Sequence, residues 1–444
     1  MESVHNEFCQ KVNQAFKRIP STLPNFTLHA VKYFLWNFDN PQKSYKIVHV
    51  AGTNGKGSVS IKTAALLRKS GYKVGLFTSP HISSVRERIR LNLELIPEEE
   101  FIKYYDICEK FETELEITLG FFQVTLCMAL LYFQQENCDY VILECGIGGL
   151  SSSTNVVDSD FAVITSIGLD HKNVLGVTEK HICRDKAGII RQNIPFVVGP
   201  TIPLDIIEPI CKIHNSKLVV VDEKNENFVT LNQSISYALY KEIIEVAEEV
   251  PHELNQEEID LALDVNLPCR MDLIPIENVK DLAPGLDFYP KASYMDVAHN
   301  SPAFKSLFKT VLSIYKDFED LVIYVICTFS KDKEISESLK ALCKGANDIR
   351  IVVIKHFKLI KEDAAIGYIS QAKSSESPDT EKINDLYEKG DLKENVIATL
   401  NKINELKHEN AILLHCGSVF LMEFIKDLYK VPQEKDLENL NSQV

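Results

Sequence analysis

The chain has 444 residues, 45% hydrophobic and 25% charged, with a formal net charge of −15. At roughly 150 residues per domain this length calls for two or three cores, and the composition is that of a soluble globular protein. A strongly negative chain without a basic run argues against nucleic acid and anionic membranes as partners, since both need Lys/Arg patches.

The eleven cysteines are dispersed, with no C-x-x-C pair and no zinc spacing, the usage expected of reduced thiols in a cytosolic protein. The longest apolar stretches, such as residues 124–133, fall far short of the ~20 residues that cross a bilayer. Residues 1–10 lack the features of a targeting leader, so cytoplasm is the expected compartment.

Residues 1–18 and 27–38 carry helical apolar spacing, separated by a Pro-containing break. The β-branched run Ile47, Val48, His49, Val50 then feeds a glycine-rich turn, and Val59, Thr63, Leu66 and Leu67 mark one face of a following helix. Strand, glycine loop and helix form the layout of a phosphate-binding P-loop. Gly52, Gly55 and Gly57 let backbone N–H groups converge on an anion, and the helix N-terminus adds partial positive charge. Lys56 can reach the β/γ-phosphates and Ser58 can ligate Mg²⁺. Gly57 stands between them, where the usual motif has no residue. The competing reading is an ordinary strand-to-helix turn with three glycines.

Residues 73–78 read as a second strand, and this alternation predicts a parallel α/β sheet. Pro97 before Glu98, Glu99 and Glu100 starts a helix, residues 120–135 form an apolar helix, and strands follow at 140–144, 161–166, 196–199 and 218–221. From 222 to 264 the periodicity weakens and acids accumulate, among them Glu242, Glu245, Glu248, Glu249, Glu253, Glu257 and Glu258, which reads as a solvated face. Residues 281–291, with Pro284, Gly285 and Pro290, are the linker candidate. Beyond them come strands at 293–297, 321–327, 349–354 and 411–415, and helices at 302–315, 334–342, 393–407 and 420–428. A mobile loop is expected at 371–380 and a polar tail from 432. The expected fold class is therefore α/β, with an N-terminal P-loop ATPase domain of mostly parallel sheet over 1–285 and a smaller Rossmann-like C-terminal domain over 286–444.

Four further stretches carry chemistry. The strand 140–144 ends in Glu144, placed to ligate Mg²⁺ opposite Ser58, because ligands bind beyond the carboxyl ends of strands in open α/β sheets. ITSIGLDH puts Asp170 and His171 past another strand, although a lone His there is more often structural. RDKAGI places Lys186 in a short apolar context, by itself a surface residue or a phosphate contact. DVAHNS sets Asp296, His299 and Asn300 at a strand end in the second domain. Cys145 lies beside the site, and its simplest reading is a small buried hydrophobe.

Together these stretches resemble the folylpolyglutamate synthase/dihydrofolate synthase family of the Mur-ligase superfamily, in its order and over most of the chain. HVAGTNGKGS (49–58) is similar to that family's P-loop and accounts for Gly57. TSPHI (78–82) with RERIR (86–90) resembles its folate loop, and FFQVT (121–125), ITSIGLDH with LGVT (175–178), DKAGI (185–189), MDVAHNSP, FSKDKE (329–334) and HCGSVFL (415–421) follow. The resemblance implies an ATP-dependent ligase that adds L-glutamate to a folate or dihydropteroate carboxylate through an acyl phosphate, with both activities expected.

Gly52, Thr53, Asn54, Gly55, Lys56, Gly57 and Ser58 would cradle ATP, with Arg270, Asp296 and Asn300 as further nucleotide contacts. Lys56, His171, Lys186 and His299 would be catalytic. Ser58 and Glu144 would bind a first Mg²⁺, and His171 and Lys186 would serve a second metal, with K⁺ a further candidate cation. A protonated Lys has no acceptor, so in this family the corresponding Lys is carbamylated by CO₂. Ser79, Pro80, His81, Arg88, Phe122, Thr125, Ser152 and Ser153 would contact the pterin substrate, and a monomer is expected.

Three departures stand out. Residues 148–155 read GGLSSSTN where the family has G-G-R-L-D-A-T-N, so that Ser152 replaces the Asp implicated in pterin recognition. Cys269 replaces a Gly before Arg270, and Val297 a Gly after Asp296. Rival readings are a folylpolyglutamate synthase only, another Mur-type amide ligase, a P-loop regulatory ATPase or GTPase, and a non-catalytic P-loop nucleotide-binding protein.

Overall fold

Alternating strand and helix signals resolve into two separate sheets. A computed structural model describes residues 2–18, 24–221, 227–328, 348–353 and 392–433. Among these, one compact unit comprises 2–221 and 230–267, and a second comprises 227–229 and 268–433.

The first unit holds an eight-stranded sheet. Its strands are β1 (Lys46–Ala51), β2 (Val74–Phe77), β3 (Ile89–Leu91), β4 (Glu94–Leu95), β5 (Tyr140–Glu144), β6 (Phe161–Ile164), β7 (Phe196–Val198) and β8 (Leu218–Val220). They lie in the order β4-β3-β2-β5-β1-β6-β7-β8. All pairings are parallel except β2–β3 and β3–β4. Helices cover both faces, which is why β1, β2 and β5 read as nearly continuous apolar runs.

On one face, α3 (Lys56–Lys69) sets Val59, Ala64, Leu66 and Leu67 against Val48, Val50 and Ile142. On the other, α5 (Phe121–Gln135) packs Val124 and Phe133 with Ile47, Val141 and Leu143, and α1 (Glu2–Phe16), α2 (Pro24–Asn37) and α4 (Glu98–Leu115) extend that core. The hairpin β3–β4 escaped sequence reading because its strands are too short for a period; Asn92 and Leu93 both take positive φ in its turn, as tight hairpins demand.

Residues beyond β8 correct the reading of 222–264. Residues 222–226 lie outside the described set, but Phe228–Val246 and Gln256–Leu263 are helices, called α9 and α10 once α6 (Lys172–Leu175), α7 (Glu179–Ala187) and α8 (Leu204–His214) are counted. Ile235, Leu239 and Ile243 form the buried stripe of α9, and Ile259, Ala262 and Leu263 that of α10. An Asn255–Glu258 capping box starts α10. Most of the acids do face solvent, as expected. Glu242 is buried and pairs with Lys217 at 2.8 Å. The acids masked a helical period that only the apolar stripe carries.

The second unit has the sheet order β12-β11-β13-β10-β9. Its strands are β9 (Arg270–Ile274), β10 (Ala292–Asp296), β11 (Val322–Cys327), β12 (Asp348–Val353) and β13 (Ala411–Cys416). Four are parallel and β9 is an antiparallel edge. Between β9 and β10 comes α11 (Ile276–Leu282), and α12 (Ser301–Ile314) follows β10; α13 (Leu392–Glu405) and α14 (Val419–Leu428) flank β13 in sequence. Phe304, Leu307, Phe308 and Val311 of α12 fill the core beside Ile323, Val325 and Leu414. Because β9 pairs with β10, residues 268–285 pack with the second sheet, and the proposed linker 281–291 lies inside this unit. The expected helix 334–342, the loop 371–380, FSKDKE and residues 434–444 fall outside the described residues. Among the described residues, no helix is long and apolar enough to cross a membrane.

Candidate active site

The loop after β1 wraps the start of α3. Gly55, the residue before Lys56, has φ +82°, and a Cβ there would sit 2.6 Å from Asn232 Oδ1. At Gly52 a Cβ would collide with Thr165 Oγ1. Both positions therefore require glycine. The residues after β6 brace the loop. Thr53 N donates to Ser166 O (2.8 Å), Asn54 N donates to Ser166 Oγ (3.0 Å), and the Asn54 carbonyl accepts from Thr165 Oγ1 (2.6 Å) and Ser166 Oγ (2.9 Å). Thr53 Oγ1 exchanges bonds with the Gly168 backbone, both at 3.1 Å. The Lys56 ammonium donates to the Gly52 and Thr53 carbonyls at 3.2 Å. Ser58 is buried in the first turn of α3, and Gly57 lies between the two.

Two more groups converge here. Glu144 ends β5, buried, and accepts from Ser79 N at 2.9 Å; its Oε2 lies 3.4 Å from a Cβ built on Gly57. Lys186, in the last turn of α7, is 3% exposed and donates to Gly52 O at 2.8 Å. Burial pushes this amine down to about 7, helped by the Lys56 charge and opposed by Asp185 and Asp170. Read alone, the sequence left Lys186 at the surface or on a phosphate; it is interior because Ile182, Cys183 and Ala187 bury the same helix face. His171 has φ +49° and is exposed, with Nε2 3.9 Å from Asp170 Oδ2. Among the described residues, no three His, Cys, Asp or Glu side chains group to hold a metal.

Asp185 pins the loop after β5 by accepting from Gly149 N (2.8 Å) and Ser151 Oγ (3.0 Å). Ser152 is buried, its Oγ 2.8 Å from Thr154 Oγ1, at the start of the turn Ser153–Val156. Thr154 reaches His49 Nε2 (2.9 Å), which is also 3.2 Å from Cys145 Sγ. Burial raises the Cys145 thiol, so it stays protonated and packs as a small apolar residue.

Beyond the cis Ser79–Pro80 peptide, Glu87 holds a tight loop by accepting from Ile82, Ser83 and Ser84 N–H groups at 2.8–3.0 Å. Arg88 Nε donates to His81 Nδ1 at 2.8 Å, and its guanidinium lies 4.8 Å from the Phe121 ring centroid. Burial pushes Arg88 down to about 10 against the pull of Glu144 and Glu87, leaving it charged at neutral pH. Phe122 packs against Gly146 and edge-on to Phe77. The Thr125 hydroxyl donates back to the Phe121 and Phe122 carbonyls.

In the second unit, the buried Asp296 carboxylate accepts from Ala298 N (2.7 Å) and Met271 N (3.0 Å). Burial raises it to about 6, with Arg270 opposing. His299 Nδ1 is 2.9 Å from Val297 O, and Asn300 caps α12 by accepting from Ala303 N at 2.9 Å. Sequence reading missed Asn232 and the bracing roles of Thr165, Ser166 and Asp185. Thr165, Ser166 and Asp185 lie inside motifs already singled out; Asn232 had no local signal, since it meets Gly55 only through tertiary packing.

No protein-family model matches the chain. It is 31% identical over 308 residues to the dihydrofolate synthase/folylpolyglutamate synthase of Haemophilus influenzae, covering 65% of this chain and 70% of that protein. A Mycobacterium tuberculosis folylpolyglutamate synthase complexed with ADP superposes with a TM-score of 0.78 at 20% identity, over 97% of this chain and 99% of that one. A bifunctional folylpolyglutamate synthase/dihydrofolate synthase with Mn, AMPPNP and L-glutamate bound superposes with a TM-score of 0.72 at 25% identity, over 91% and 94%.

Proposed function

Because the chain belongs to the dihydrofolate synthase/folylpolyglutamate synthase family, we propose that it is an ATP-dependent ligase joining L-glutamate to the carboxylate of a folate or of dihydropteroate. The observation that carries this reading is the convergence of Lys56, Lys186 and Glu144 on one glycine loop.

The residues fit the groups the reaction needs. Ser58 and Glu144 offer a hydroxyl and a buried carboxylate beside the loop. Mg²⁺ takes oxygen ligands, commonly one or two carboxylates with phosphate oxygens and water making up the rest. When bound, Mg²⁺ supplies positive charge to the transferring phosphoryl oxygens. Lys186, pushed down to about 7, holds a large fraction of free amine at neutral pH. That form can add to CO₂, forming an N–C bond and releasing one proton; the resulting carbamate has the oxygens that a second cation, with His171 as partner, would require.

The chemistry has two displacements. The substrate carboxylate attacks the γ-phosphorus and ADP leaves; then the glutamate amine attacks the acyl carbon and phosphate leaves. Lys56 and the N–H groups of the glycine loop stabilise charge on the transferring group. Arg88, buried and charged beside Glu144, would draw the substrate carboxylate, and Arg270, Asp296 and Asn300 would contact nucleotide from the second unit's own strand ends.

Activity on both pteroate and folate is the reading we favour. A polyglutamylase restricted to folates is the second, supported by Ser152, whose hydroxyl is turned into the Thr154–His49 network. The test is ADP release with Mg-ATP and glutamate, offering dihydropteroate and tetrahydrofolate separately. Turnover with both is expected; turnover with tetrahydrofolate alone selects the second reading, and none with either removes the ligase assignment.

A further inference from the structure

Arg270 is flanked by strained backbone. Cys269 and Met271 both have φ +57°, a region that residues with a Cβ adopt only when their surroundings enforce it. The register explains Met271. Met295 pairs with Asp272 and Asp296 with Arg270, so Met271 is an extra residue with no partner on β10. Such bulges often place glycine at a left-handed position, and they recur beside active sites where they re-aim a side chain.

Two carboxylates enforce the geometry. Asp296 Oδ2 accepts from the Met271 amide at 3.0 Å, and Asp272 Oδ2 accepts from the Cys269 amide at 2.7 Å. Val297 N donates to the Cys269 carbonyl at 3.1 Å, so both ends of that residue are held. Cys269 is fully buried, while Arg270 is half-buried, and its Nη1 donates to the Cys269 carbonyl at 3.2 Å. A hydrogen bond to a carboxylate is among the stronger ways to hold an amide.

We propose that Asp272 is a positioning residue, whose carboxylate locks Cys269 in the left-handed conformation and so fixes the direction in which Arg270 leaves the bulge towards nucleotide. The inference rests on the reading of Arg270 as a nucleotide contact. It makes a particular demand of position 269: glycine there needs no lock, because it adopts positive φ without a Cβ penalty.

The test is calorimetric titration of full-length protein with ADP and Mg²⁺, alongside a melting curve for each variant. Arg270→Ala sets the size of the Arg270 contribution. Asp272→Ala is expected to weaken ADP binding by about tenfold, the scale on which backbone strain of this kind acts. Asp272→Asn, which keeps an acceptor oxygen, should change it about twofold or less. Adding Cys269→Gly to Asp272→Ala should restore most of the lost affinity, which a merely structural aspartate or a direct ligand contact would not allow. If Asp272→Ala does not fold, the double variant decides alone, and near-native affinity supports the proposal. Failure of Cys269→Gly to restore binding overturns it, as does unchanged affinity in Asp272→Ala. If Arg270→Ala itself binds ADP normally, the reading of Arg270 as a nucleotide contact fails and the proposal with it; if only the Asp272 variants are silent, the positioning role alone is wrong.

Discussion

Two buried lysines in the first unit have nearly the same exposure, 1% for Lys62 and 3% for Lys186, and opposite surroundings. Lys62, on α3, donates to Leu263 O (2.6 Å), Val265 O (3.0 Å) and Asn266 Oδ1 (2.9 Å), which uses all three protons of its ammonium. Lys186 is given one carbonyl, Gly52 O, and the neighbouring charge of Lys56. Burial disfavours the charged form of both, bringing Lys62 to about 8 and Lys186 to about 7. The difference lies in compensation. A fully partnered buried cation ties the P-loop helix to the segment after α10, whereas Lys186 has fewer acceptors beside a second cation, which supports its proposed role as a reactive amine. Burial by itself therefore says little about role; the count of acceptors separates a structural lysine from a chemical one.

The sharpest way to break this distinction is to remove each charge. Lys186→Met is expected to lower glutamate-dependent ADP release by at least about 100-fold, the scale of losing a group that acts in the transition state. Its urea midpoint should stay level or rise, because an apolar side chain replaces a poorly compensated buried amine. Lys62→Met should do the reverse, destabilising the first unit by about 3 kcal/mol as the Val265 carbonyl and Asn266 lose their donor, with turnover per folded molecule nearly unchanged. The Leu263 carbonyl keeps a second donor, Gln233 Nε2, at 3.2 Å, which limits the cost. Should both variants lose activity and stability together, the two lysines belong to one network and the distinction fails.

A smaller effect follows from pH. Lys186 in the folded chain titrates near 7 and in the unfolded chain near its ordinary 10.5. Between those values the unfolded state binds more protons, so stability rises with pH. The contribution is at most about 1.4 kcal/mol per pH unit. In the window from pH 7 to 8, where Lys62 also begins to titrate, unfolding in CO₂-free buffer should show a steeper slope in the native chain than in Lys186→Met. An unchanged slope would falsify the free-amine assignment.

How much of this was legible in the sequence depends on whether the determinant was local. The P-loop, Glu144 and most strands are written in consecutive residues, a β-branched run ending in glycine or in an acid, and the structure places them within a residue or two. The burial of Lys186 and the three acceptors of Lys62 are not local. Lys62 finds its partners more than 200 positions away, in a region whose acids hid two helices. The bulge at Met271 was equally out of reach, since its strand pairs across a gap of some twenty residues and neither Cys269 nor Met271 is a residue that announces positive φ.

The smallest effect tests the acceptor count itself. Asn266→Ala removes one of the three oxygens on Lys62 and leaves the two carbonyls in place. Asn266 is an exposed residue, so the loss should be modest, about 1 kcal/mol. Its consequence for protonation is more telling. With fewer oxygens to stabilise the ammonium, the folded-state pKa of Lys62 should fall further below 8, while the unfolded value stays near 10.5. The unfolded chain then binds more protons than the folded one over a wider interval, and the rise of stability with pH should begin nearer 7 than 8 in the variant. Urea unfolding of native and Asn266→Ala protein from pH 7 to 9, in a Lys186→Met background that removes the other amine, reads this directly. A parallel pair of curves means that the acceptors do not set the protonation of Lys62; a gap that narrows as pH rises means that one amide oxygen is part of what keeps this buried lysine charged.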